Sequence, residues 1–87
     1  DPAKEMIVRI DKNNFIVKGD TEIDELEECL NIDLNPNGRY VTVNGLLQHL
    51  LGRLPKKGSQ ARIDDILFTV DEMQGNKPVR ISVNRSD

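Results

Sequence analysis

The hydrophobic positions of this chain change period twice. They begin as two β-branched runs, Met6-Ile7-Val8-Arg9-Ile10 and Phe15-Ile16-Val17-Lys18, parted by Asp11-Lys12-Asn13-Asn14. Asn and Asp bond their own backbone and tolerate φ > 0, so the parting residues predict a turn and the two runs a β-hairpin. The period then lengthens. Ile23, Leu26 and Leu30 fall at i, i+3 and i+7, the stripe of an amphipathic helix, with Cys29 on its flank. Thr21 stands where that helix would be capped, and Asp24 takes the capping-box position three residues on. A second stripe, Val43, Leu46, Leu47, Leu50 and Leu51, follows Thr42 as its expected cap. Gly52 suits the left-handed residue after a helix, and Pro55 forbids resumption.

From Gly58 the period is two. Gln60 to Ile63 reads as a short strand turned by Asp64-Asp65. Ile66, Phe68 and Val70 alternate with Leu67, Thr69 and Asp71. After a turn at Gln74 to Lys77, Val79, Ile81 and Val83 alternate with Arg80, Ser82 and Asn84. The predicted order is β-β-α-α-β-β-β: an α+β domain in two layers, with a mostly antiparallel sheet and both helices on one face. Residues 1–5, polar and with Pro2 near their start, read as a linker end. Residues 6–84 form the domain and 85–87 a C-terminal tail.

Composition narrows this picture. With 87 residues and 37% hydrophobic content the chain supports one domain and one modest core. Three aromatic residues leave that core to Ile, Leu and Val. No run approaches the roughly 18 apolar residues of a membrane span, and no signal-peptide pattern opens the chain, so no direct insertion of this segment is expected. One cysteine excludes an internal disulfide framework. A net charge of −3 disfavours a general nucleic-acid partner. The distribution of charge is more informative than its sum. Seven acids (Asp20, Glu22, Asp24, Glu25, Glu27, Glu28, Asp33) and no cation lie between Gly19 and Gly38. Arg53, Lys56, Lys57 and Arg62, with no acid, lie between Val41 and Ile63. Either these are two solvated faces, or they orient the domain against a partner or a second copy.

Two stretches imitate ligand sites. Asp33, Asn35, Asn37 and Gly38 open like a calcium-binding loop, but the bidentate Glu that must close such a loop is Asn44 here, and Pro36 stiffens the start. One carboxylate does not offset dehydration of a hard dication, which leaves a polar connection between helices. Gly52 to Ser59 imitates a phosphate loop, but it has one residue too many between its glycines. It also follows a helix C-terminus, where carbonyls rather than N–H groups face outward. His49, the only histidine, lies off the leucine stripe, and Cys29 has no third group to orient a nucleophile. No catalytic set emerges.

Gly19-Asp20-Thr21-Glu22-Ile23-Asp24-Glu25-Leu26, then Thr42-Val43-Asn44-Gly45-Leu46-Leu47 and Leu50 to Gly58, together resemble the transporter-associated domain of CorC/HlyC-type proteins. Ile66 to Val70 and Val79 to Val83 match its closing strands. The likeness runs over residues 6 to 84 and is most specific at Gly52-Arg53-Leu54-Pro55-Lys56-Lys57-Gly58. Two departures stand out: Asn44 replaces a usual glycine, and Asp64-Asp65 stands where glycines are common. The resemblance implies structural roles for Thr42, Gly45, Gly52, Arg53, Pro55 and Gly58, with Gly45 kept for close helix–sheet contact. It implies a fold related to part of a flavin-binding domain, though such analogy transfers no site. It further implies a non-catalytic, cofactor-free module on the cytoplasmic side of the cell membrane, following CBS domains and a transmembrane domain in magnesium and cobalt efflux or hemolysin-like proteins. Such a module would modulate ion transport by docking on those CBS domains or by self-association. Glu22, Glu25 and Glu28 on one surface and Arg53, Lys56 and Lys57 on another are the expected contacts. The competing expectation is a small-ligand module for an adenine nucleotide, a flavin or a divalent cation. It rests on the acidic and basic clusters and is weakened by the scarcity of aromatic stacking partners.

Overall fold

The computed structural model describes residues 6–34 and 38–86. The expected linker end and the Asn35 to Asn37 part of the calcium-like loop lie outside that description. The hairpin forms as β1 (Ile7–Asp11) and β2 (Asn14–Val17), with Asp11 accepting from the Asn13 N–H at 2.8 Å across the turn. Two helices follow, α1 (Ile23–Leu30) and α2 (Val43–Leu51), then β3 (Gln60–Ile63), β4 (Ile66–Gln74) and β5 (Lys77–Arg85). One antiparallel sheet results, in the order β1-β2-β5-β4-β3. The last strand therefore lies in the middle, between β2 and β4.

This register builds the core. Phe15, Val83 and Phe68 stand opposite one another across three strands, and Val17, Ile81 and Val70 form the next row. All six are buried on one sheet face, where Ile23, Leu26 and Leu30 of α1 and Val43, Leu46 and Leu47 of α2 join them in a single cluster. Fully burying each such side chain is worth about 1.5–3 kcal/mol. Both helices thus cover the same face, as the change of hydrophobic period implies. Irregular register around Glu72 brings Pro78 to a buried position, so burial along β5 departs from the simple alternation of Val79, Ile81 and Val83.

Several expectations are corrected. Thr21 does not cap α1: the cap position is Glu22, without a side-chain bond, and the buried Thr21 hydroxyl donates to the Met6 carbonyl instead. The Met6 carbonyl, just ahead of β1, engages the hydroxyl that would otherwise accept from the helix N–H groups. The α2 stripe is narrower than its sequence, since Leu50 is 36% exposed and Leu51 half-buried beyond the edge of the sheet face. The β5 strand takes in Arg85, the first residue of the expected tail. Its guanidinium donates to the Leu30 carbonyl at the end of α1, a helix with no cation of its own in the last turn. The connection after α1 is anchored as well: Leu34 is buried in the core, and its N–H donates to the Glu27 carboxylate at 2.6 Å.

Candidate functional site

The two charged stretches of sequence become two surfaces. The helix stripe that buries Ile23, Leu26 and Leu30 leaves Asp24, Glu25 and Glu28 exposed, with Glu22 beside them at the cap. Asp24 and Glu25 lie in the first turn, where the partial positive charge of the helix N-terminus favours acids. Asp24, Glu27, Glu28 and Asp33 border an open depression together with Asn31 and Ile32. Among the described residues no three of His, Cys, Asp and Glu converge on a point that would hold a metal ion. Asp20, at the edge of this surface, pairs with Lys77 at 3.1 Å, both mostly exposed.

The basic surface is built on the exit of α2. Gly52 takes the left-handed conformation (φ 67°) and donates to the Gln48 carbonyl, closing the helix. Pro55 is buried, which turns the chain back toward the sheet. The Lys56 N–H donates to the Ser59 hydroxyl at 3.0 Å, the Ser59 N–H to the Lys56 carbonyl at 2.9 Å, and the Gly58 N–H to Val70 of β4 at 2.8 Å. These N–H groups are spent within the fold, which removes the phosphate-cradle reading of Gly52 to Ser59. Arg53, Lys56, Lys57 and Arg62 point outward, all exposed.

The two helices are joined at their starts. Ile23 N–H donates to the Val41 carbonyl and Val43 N–H to the Thr21 carbonyl, both at 2.9 Å, so Glu22 and Thr42 form a bridge between the helices. Thr42 caps α2 as its sequence position implies, accepting from the Gly45 N–H at 3.4 Å, a long contact. Gly45 makes no close approach to the sheet: a Cβ there would lie 3.9 Å from Thr42 and Tyr40. The close approach belongs to Gly19, where a Cβ would collide with the Pro78 carbonyl and the Asn44 amide. Asn44 donates to the Pro78 carbonyl at 3.2 Å, with its Oδ1 buried and unpaired among the described residues. His49 is exposed and lies against the Tyr40 ring at 5.0 Å between centroids, and Cys29 is exposed. Sequence periodicity could not signal the Gly19–Pro78 contact, which joins residues far apart in the chain. It would have placed Leu34 on the α1 stripe, whereas α1 ends at Leu30 and Leu34 is buried from the connection beyond it.

A five-stranded antiparallel sheet under two helices, carrying one acidic and one basic surface, defines a small two-layer α+β domain. The chain belongs to the CorC_HlyC family, the transporter associated domain, whose model matches residues 8–87. It is 31% identical to the polyamine export protein of Salmonella typhimurium over 97% of its length, which is 19% of that protein. It is 30% identical to the magnesium and cobalt efflux protein CorC of Buchnera aphidicola, over 88% of this chain and 26% of that one. The chain therefore spans about a fifth to a quarter of these relatives. The fold matches a CorC_HlyC domain from a Xylella fastidiosa hemolysin, solved in complex with Mg²⁺ and Mn²⁺ (TM-score 0.81, 22% identity, 95% of this chain and 100% of that one).

Proposed function

We propose that this chain is a regulatory docking domain of a membrane protein that exports small cations, and that it works without catalysing a reaction. The observation that carries this reading is the family match, with relatives named for polyamine export and for magnesium and cobalt efflux in which the domain is a minor part. The remainder of such a protein would hold the transport path and the CBS domains, on whose cytoplasmic side this domain would sit. Its two surfaces are the proposed contacts: Glu22, Glu25 and Glu28 on one, Arg53, Lys56 and Lys57 on the other, facing neighbouring domains of the same polypeptide or a second copy. Gly52, Pro55 and Gly58 would hold the basic loop in shape, and Thr42 would fix the start of the helix that leads to it. The test is made in the full-length protein. Deleting residues 6–84 should change ion or polyamine flux or the oligomeric state, and a deletion that alters neither defeats the proposal.

A second reading has one specific support. The depression bordered by Asp24, Glu27, Glu28 and Asp33 is acidic, and the Xylella fastidiosa domain is a complex with Mg²⁺ and Mn²⁺. A likeness at 22% identity carries the fold and not the ligands, and the carboxylates here do not converge. Calorimetric titration of the domain with Mg²⁺, ATP and FAD separates the readings: heats saturating at micromolar ligand would place the ligand-binding module first.

A further inference from the structure

The loop that leaves α2 divides its residues sharply between inside and outside. Pro55 and Ser59 are buried, Gly52 and Gly58 supply left-handed turns, and bonds from Lys56, Gly58 and Ser59 fix the backbone to itself and to β4. The remaining side chains do nothing for that architecture. Leu54, 58% exposed, lies between the exposed cations Arg53 and Lys56-Lys57, Leu50 near the end of α2 is 36% exposed, and Arg62 is on the adjoining strand against which α2 packs. Among the described residues none of these four cations has an ion-pair partner. A well-fastened loop thus holds Leu54 and a group of cations out into solvent, with Leu50 partly exposed at the end of α2. An exposed leucine amid cations on a fastened loop is apolar surface that the fold itself does not use.

We infer that this basic, leucine-bearing tip docks on the anionic surface of a lipid bilayer, peripherally and without crossing it. The inference deepens the reading of the chain as part of a membrane transporter and rests on it. Leucine prefers the boundary between headgroups and acyl chains, whereas Lys and Arg stay at the phosphates, so a bilayer surface satisfies both halves of the tip together. No acid lies between Val41 and Ile63, so the four cations give this stretch a local positive charge that favours an anionic surface although the chain as a whole carries −3. The acidic surface of a second copy offers opposite charge too. That contact would satisfy the cations but would set exposed Leu54 against carboxylates, whereas a bilayer surface receives the leucine as well. Each cation near an anionic surface is worth about fivefold in partition, and tethering in a membrane protein supplies a high effective concentration, so weak intrinsic binding suffices.

The domain can be tested alone, because the Xylella fastidiosa chain of the same fold consists of this domain over its whole length. Flotation with vesicles of phosphatidylcholine, or of phosphatidylcholine with phosphatidylglycerol, reads partition at low and physiological salt. The chain should float with the anionic vesicles only. Lys56→Glu/Lys57→Glu should reduce partition by about tenfold or more, and Leu54→Ser should reduce it by a smaller factor that persists at higher salt. Glu25→Lys/Glu28→Lys, on the other surface, should leave it unchanged or raised. These side chains are exposed, and circular dichroism confirms folding of each variant. Equal partition into both vesicle types, or an undiminished Lys56→Glu/Lys57→Glu variant, overturns the inference. So does concentration-dependent self-association that the same variant abolishes while vesicles fail to bind, which would assign the tip to a protein surface. Such a failure leaves docking on neighbouring domains standing, since that reading is judged by flux and assembly of the full-length protein.

Discussion

The close contact expected at Gly45 is made by Gly19 instead. Gly45, one turn into α2, has open room for a methyl group, and a helical glycine costs up to about 1 kcal/mol relative to alanine. Gly45→Ala should therefore stabilise the domain by about 0.5–1 kcal/mol. Gly19→Ala places a Cβ on the Pro78 carbonyl and the Asn44 amide, and overpacking against backbone typically costs about 1–3 kcal/mol. Urea melts of both variants check this, and a destabilised Gly45→Ala beside a silent Gly19→Ala would contradict the packing described. The Gly19 contact was not legible in the sequence, because Pro78 comes from the far end of the chain and reaches Gly19 only through the topology. Leu34 was hidden for another reason: it repeats the spacing of Ile23, Leu26 and Leu30 but lies beyond the left-handed Asn31 that ends α1, so it is buried from a connection and not from the helix. At 4% exposed it belongs to the core, so Leu34→Ala should cost about 2–4 kcal/mol, whereas exposed Asp33→Ala should stay within about 0.5 kcal/mol. Chemical denaturation of the pair decides whether the connection between the helices is anchored or merely polar.

Elements with local causes were legible, and those decided by remote partners were not. The β1–β2 hairpin follows from its Asp-Lys-Asn-Asn turn, and α2 from its leucine stripe, its Thr42 cap and its Gly52 stop. The start of α1 was misplaced because Thr21 finds the Met6 carbonyl, and its end is completed by Arg85 from β5. The hairpin also carries a pH signature. The Asn13 N–H and then the Asn14 side chain donate to the Asp11 carboxylate and hold its pKa below the ordinary 3.8. A depressed carboxylate contributes stability that is fully present above the unfolded value and is lost as pH falls through the lower folded value. The amide resonances of Asn13 and Asn14 should therefore titrate together below 3.8, and Asp11→Ala should remove that transition. An Asn13 amide titrating above 3.8 would show that the turn bonds do not form.

At the scale of the whole molecule, stability is concentrated in the strand that is made last. The β5 strand pairs with both β2 and β4 and supplies Ile81 and Val83 to the two rows that span the sheet. It also carries Pro78, which anchors Asn44 of α2, and Arg85, which closes α1. Without it, β1 and β2 are an isolated hairpin, a structure marginal in water. The helices, of 8 and 9 residues, are too short to persist alone. The fold should accordingly be one cooperative unit that cannot be entered from its N-terminal half, because the β2–β5 pairing closes nearly the full length of the chain. A chain ending at Asn76 should give the narrow amide dispersion and weak far-ultraviolet dichroism of an unfolded polypeptide. Adding a peptide of residues 77–86 in trans should restore dispersion, because that segment alone joins both halves of the sheet. Persistent native dispersion in the truncated chain would mean that the helices and outer strands hold together without their central strand, and that the core is divisible.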